Sequence, residues 1–139
     1  MYSAKFNVWF YETDMMGIAH HSNHFRWFEN ARVEYLRHIG ITLGSMMDED
    51  IVFPIMNVSC HYNEPARFDD VIRIETYLTK LTRAQMVFKY RMVRDADDVL
   101  LATGETKNAF MMKSTGKICR VSDKFYKPML ESVEEMPNE

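Results

Sequence analysis

From Pro54 onward the chain changes rhythm, and that change narrows the folds open to it more than any other feature. Met56, Val58, Cys60 and Tyr62 fall on one side of an extended run, with Asn57, Ser59, His61 and Asn63 on the other. A period of two is the mark of a strand. Glu64-Pro65-Ala66-Arg67 breaks it. Three further runs, 71–81, 85–94 and 99–112, are rich in Val, Ile, Thr, Phe and Tyr and read as strands. Thr82-Arg83-Ala84 and Asp95-Ala96-Asp97-Asp98 have the length of hairpin connections, so neighbouring strands should run antiparallel. Ser114-Thr115-Gly116 turns the chain into a last short strand near 117–121.

The first third reads differently. Residues 5–11 alternate, with Phe6, Val8 and Phe10 opposed to Asn7, Trp9 and Tyr11, which predicts one strand. Phe25, Phe28, Ala31, Tyr35, Leu36 and Ile39 then recur at helical spacing. Ser22 and Asn23 are good N-caps and Gly40 is a stop. A helix over 24–39 would be roughly 24 Å long, enough to cross a sheet. Residues 41–51 read as a connector, and the tail from Lys124 as a short helix before an acidic end. The expected fold is α+β: one long central helix wrapped by an antiparallel sheet of about five to six strands, in a single domain over 1–139. One helix covers one face of such a sheet, so a second copy should cover what remains, giving a homo-oligomer.

Composition removes several function classes. The net charge of −3 lacks the basic excess of a nucleic-acid binder. No apolar run is long enough to span a bilayer, and the first residues lack the pattern of a signal peptide. Cys60 and Cys119 fit no metal or redox spacing and suit free thiols in a cytoplasmic protein. There is no G-x-S-x-G elbow, P-loop or dinucleotide glycine motif, and no cofactor is expected.

The segment Tyr11–Arg32 carries the chemistry. Asp14 lies in the loop between the first strand and the helix, about eight residues before the expected cap. An acid there either caps a turn or activates a nucleophile, while free N–H groups at the helix start stabilise an oxyanion. The run T-D-M-M-G-I-A-H-H-S-N-H-F-R-W-F-E-N-A-R resembles the signature of hotdog-fold thioesterases of the 4-hydroxybenzoyl-CoA thioesterase family, in particular bacterial acyl-CoA thioesterases of the YbgC/FadM type. The resemblance implies hydrolysis of an acyl-CoA thioester. Asp14 falls on the family's catalytic carboxylate, acting as nucleophile or general base. His21 falls on the position whose backbone N–H polarises the thioester carbonyl, and Gly17 on the loop glycine. Asn23 falls on the motif asparagine, a loop-fixing or capping residue. Glu29 falls on a helix acid that is catalytic in another branch and is secondary here. His20-His21 stands where many relatives carry Tyr, so a hydroxyl function there is lost.

Other groups are weaker. His20 and His24, four apart, could join Asp14 at a metal, yet H-E-x-x-H is absent and no metal is expected. Arg32 and Glu34 suit ion pairs. Arg83, Lys113 and Lys117, with Lys80 and Arg120, could meet the CoA phosphates or form a solvated fringe. An enoyl-thioester hydratase using His20, His21 or His61, and a non-catalytic acyl-CoA-binding protein, are the alternatives.

Overall fold

The computed structural model describes residues 1–137. Five strands form one antiparallel sheet: β1 (Tyr2–Asn7), β3 (Ile55–Tyr62), β4 (Val71–Leu81), β5 (Gln85–Arg94) and β6 (Leu100–Ala109). Their order is β1-β4-β5-β6-β3. Two short strands, β2 (Ile51–Val52) and β7 (Met111–Met112), make a separate ladder. The fold is thus α+β, as the alternating runs predict.

Among the described residues three helices are present. The longest, α1 (Ser22–His38), lies against β1 and β4; α2 (Leu43–Met47) falls in the expected connector; α3 (Asp123–Ser132) packs on β4. Thr42 caps α2 by accepting from Ser45 N–H at 3.1 Å. Tyr35 on α1 donates to Ser132 Oγ at 2.7 Å, tying α3 to α1. Gly40, with φ +89°, ends α1 in the left-handed conformation that glycine adopts without penalty.

The alternation of the sheet builds the core. Ile72, Ile74 and Leu78 of β4, with Met86, Phe88, Tyr90 and Met92 of β5, are fully buried beneath the helices. Phe28 of α1 stacks on Tyr90 with ring centroids 4.5 Å apart. Phe28 also lies on Gly104 of β6, where an added Cβ would come within 2.4 Å of its ring.

Several boundaries differ from expectation. The first strand ends at Asn7, and Phe10–Glu12 is a 3₁₀ turn, because the Glu12 carboxylate accepts the Trp9 N–H at 2.7 Å. The expected strand over 99–112 breaks at buried Phe110, whose N–H turns to the Ala84 carbonyl at 2.8 Å. Near 117–121 only an isolated bridge, Met111 with Ile118, takes the place of a strand. Arg32 is not ion-paired among the described residues; it is buried, with Nη1 donating to Tyr90 Oη at 3.0 Å, while Glu34 pairs with Arg37. Edge strand β3 remains open, with Ile55, Met56, Val58 and Tyr62 all exposed. The expected domain over 1–139 extends two residues beyond those described.

Candidate active site

The Asp14 loop is a short pinned hairpin. Thr13 bridges Ala19, and Asp14 N–H donates to the Ile18 carbonyl at 2.9 Å. Gly17 reverses the chain with φ +72°, a conformation that costs an L side chain roughly 1–2 kcal/mol. Its carbonyl accepts from Phe68 N–H, and Ala19 N–H donates to Ala66, so the following segment anchors the loop. The exposed Asp14 carboxylate divides its oxygens. Oδ1 accepts from Met16 N–H at 2.8 Å and Ile18 N–H at 3.2 Å. Oδ2 has no protein partner among the described residues.

The start of α1 corrects the expected cap. Its N-cap is His21, in a helical conformation with no side-chain cap bond. Ser22 and Asn23 lie inside the first turn and look back to the loop. Ser22 Oγ lies 2.7 Å from His20 Nδ1, and Asn23 Nδ2 donates to the Glu12 carbonyl at 2.9 Å. Asn23 is therefore loop-fixing in its contacts. The His21 carbonyl accepts from His24 N–H at 3.2 Å, His24 Nδ1 at 3.1 Å and Tyr62 Oη at 3.2 Å. The His21 N–H shares its peptide with the His20 carbonyl, which accepts from Asn23 N–H at 3.0 Å and Asn23 Nδ2 at 3.2 Å, and it has no partner of its own among the described residues. A fixed, unspent N–H at a helix start is the donor an oxyanion needs.

His24 is 3% exposed. Burial, outweighing the bond to His21, depresses its pKa to about 4. It meets Tyr62 edge-to-face at 4.7 Å. With Nδ1–H spent on His21, its Nε2 is an unpartnered buried acceptor. Burial also pushes the Tyr62 hydroxyl up to about 12, so Tyr62 stays a donor. Ile18, Ala19, His21, His24, Tyr62, Asn63, Glu64 and Pro65 line a cleft of about 260 Å³. Asp14 stands on the loop that forms one wall but is not itself a lining residue. Glu29 is exposed on α1 and is not brought into the cleft.

The expected phosphate-binding residues do not gather here. Arg83 is committed to α3: Nη2 pairs with Asp123 at 2.5 Å, Nη1 donates to the Val121 carbonyl at 3.1 Å, and the guanidinium lies over Tyr126. Lys113 and Lys117 are exposed on the turn after β7, where Lys113 N–H donates to the Asp50 carbonyl, ahead of the start of β3, whereas Tyr62 at the end of β3 meets His21. Eight strand residues separate those ends by roughly 25 Å. Among the described residues no group of three His, Cys, Asp or Glu side chains is placed to hold a metal ion, and no helix is long and apolar enough to cross a membrane.

Sequence reading missed Glu12 and Trp27. Glu12 is 8% exposed and Trp27 3%, and Trp27 Nε1 donates to Glu12 Oε2 at 3.1 Å. Their separation of 15 residues follows no helical or strand period. The only local sign was a second acid two places before Asp14.

A long helix against a five-stranded antiparallel sheet is the arrangement of the hotdog thioesterase class, and known proteins agree. Residues 8–129 match the model of the thioesterase-like superfamily, and the chain belongs to that family. A protein of Aquifex aeolicus is 39% identical over 114 residues, 82% of this chain and 86% of its own. The acyl-CoA thioester hydrolase YbgC of Escherichia coli O6:H1 is 33% identical, covering 70% of this chain and 72% of its own. The crystal structure of the DHNA-CoA thioesterase from Staphylococcus aureus superposes with a TM-score of 0.85 at 25% identity, covering 94% of this chain and 86% of that one.

Proposed function

We propose that this protein hydrolyses acyl-CoA thioesters to a free acid and CoA, with Asp14 supplying or activating the nucleophile and the His21 N–H receiving the oxyanion. The observation that carries the reading is the division of labour within Asp14. Oδ1 fixes the carboxylate on two loop N–H groups, and Oδ2 is left to react. YbgC and the DHNA-CoA thioesterase, named for CoA thioesters, support the substrate class.

In the general-base route Asp14 takes a proton from water as the water oxygen bonds to the thioester carbon. The carbonyl electron pair moves to oxygen and is met by the His21 N–H. Collapse breaks the C–S bond; the sulfur leaves with the electron pair and takes the proton held by Asp14. One water is consumed, and one acid and one thiol are released. In the nucleophilic route an Asp14 oxygen bonds to the same carbon, the thiolate leaves, and water then cleaves the mixed anhydride to restore Asp14. Thioesters have little resonance stabilisation and thiolates leave readily, so one carboxylate and one oxyanion donor suffice. Gly17 shapes the loop, Asn23 holds it, and Glu29 is secondary.

The working unit in this proposal is a cytoplasmic homo-oligomer, at least a dimer joined along β3, with α1 as the central helix of each protomer. The open β3 edge supports it. Antiparallel pairing about a two-fold axis sets the start of β3 in one copy beside its end in the other. That carries the Lys113–Lys117 turn of one copy towards the His21 end of its neighbour, where the CoA phosphates would lie.

Thiol release across a panel of acyl-CoA substrates tests the reading. Asp14→Asn should lose roughly 10²–10⁴-fold in kcat while staying folded and oligomeric. Full activity in that variant overturns the mechanism. Loss in Glu29→Gln with Asp14 dispensable transfers the acid's role to the helix. Hydration of an enoyl-CoA without thiol release points to a hydratase, and tight binding without turnover to a binding protein.

A further inference from the structure

We infer that Glu12 is a positioning residue for the hydrolytic site, coupling the Asp14 loop to the head of α1 through Trp27. The inference rests on the hydrolase reading and deepens it. Glu12 is buried, and both carboxylate oxygens and the carbonyl accept hydrogen bonds. Oε1 accepts from Trp9 N–H at 2.7 Å and Oε2 from Trp27 Nε1 at 3.1 Å. The Glu12 carbonyl accepts from His20 N–H and Asn23 Nδ2, both at 2.9 Å. One residue thus ties the chain two places before Asp14 to the residues on either side of His21 and to the second turn of α1.

Among the described residues no cation pairs with the carboxylate, whose partners are two N–H donors. A carboxylate accepts both at once, whereas a carboxamide presents one acceptor oxygen and turns an N–H towards the other donor. Burial leaves that donor without water as a substitute. Glu12 is therefore a hinge pin in a desolvated place. Its loss lets the Asp14 loop shift against the His21 N–H without removing either group. A displacement near 1 Å in such a site costs on the order of 10²-fold in rate.

The test uses the full chain in an acyl-CoA thiol-release assay, with Asp14→Asn alongside. Glu12→Gln should lower kcat by roughly 10–100-fold per folded molecule and leave KM within about 3-fold. Trp27→Phe keeps a buried ring, removes only the indole donor, and serves the same purpose if Glu12→Gln folds poorly. The double variant should fall no further than Glu12→Gln alone, because both remove one link. In a Trp9→Phe background Trp27 is the only indole, since the chain has two tryptophans. Its emission maximum should shift when Glu12 becomes Gln. A lower melting temperature with wild-type kcat per folded molecule in both variants would mean a purely structural role and overturn the inference. Full kcat in Glu12→Gln beside an inactive Asp14→Asn removes the role of Glu12 and leaves the hydrolase reading standing. A wild-type protein that releases no thiol removes both.

Discussion

Adding a single methyl group at Gly104 should disturb both stability and the site, although Gly104 touches neither Asp14 nor His21. A Cβ built there lies 2.4, 2.6 and 3.2 Å from three carbons of the Phe28 ring, where ordinary contact begins at 3.4 Å. Phe28 must therefore retreat by about 1 Å. It has nowhere to go within its own layer: it is fully buried and stacked on Tyr90, which is fully buried as well. The strain passes to α1, whose N-cap is His21 and whose second turn carries Trp27. Overpacking of this kind costs typically about 1–3 kcal/mol. For a domain of 139 residues that is a fall in melting temperature of roughly 3–12 °C. Differential scanning fluorimetry measures the fall, and thiol release measures the parallel loss in kcat. Phe28→Leu costs stability alone, yet in the Gly104→Ala background it makes room for the methyl. The two changes should couple favourably by more than about 0.5 kcal/mol in a double-mutant cycle. An unchanged melting temperature in Gly104→Ala, or strict additivity of the pair, refutes the reasoning.

Two further outcomes follow from the site and the open edge. His24 has its folded pKa depressed from 6.5 to about 4, so the unfolded chain binds its proton first; stability is complete above about pH 6.5 and lost as pH falls towards 4. Melting temperature against pH should therefore fall less steeply in His24→Gln than in the wild type, and parallel curves would reject this assignment. Met56, at the irregularity near the start of β3, is 56% exposed, so Met56→Lys places a charge on the free edge at little cost to one protomer. Sedimentation should show a shift towards monomer with loss of thiol release; an unaltered assembly would show that β3 is not the joining edge.

Where sequence and structure agree, the information is local. The stripe Phe28, Ala31, Tyr35, Leu36 and the alternation along β4 and β5 follow from the periods of helix and strand, and each residue reads out its own neighbourhood. Boundaries moved where a distant group intervened. Trp9 and Phe10 alternate like strand residues, but a carboxylate at Glu12 closes a turn on them. Phe110 belongs to the same apolar run as β6, yet Ala84 takes its N–H and breaks the ladder. Arg32 sits in a helix of charges that suggests surface pairing, and only the register of α1 on the sheet buries it against Tyr90. Asp14, Gly17 and His21 were legible as a motif. The brace behind them was not, because Glu12 and Trp27 belong to different elements with different periods.

Capping and catalysis, set against each other when Asp14 is read from sequence, are complementary under the proposed mechanism. A carboxylate with both oxygens free would rotate, and its reactive lone pair would spend little time on any one line of approach. A carboxylate with both oxygens bonded to N–H groups would be well placed and unreactive. Asp14 lies between these limits: Met16 and Ile18 N–H groups bind Oδ1, and Oδ2 stays open. The His20–His21 peptide follows the same logic from the donor side, with two hydrogen bonds on the His20 carbonyl and none on the His21 N–H among the described residues. In the proposed mechanism the bonded half of each group removes the orientational freedom that the reaction would otherwise have to remove, and the unbonded half meets the substrate. On the proposed reading the turn cap is the means by which so small a site orients its acid, and the loop that provides it needs Gly17 to close on Ile18.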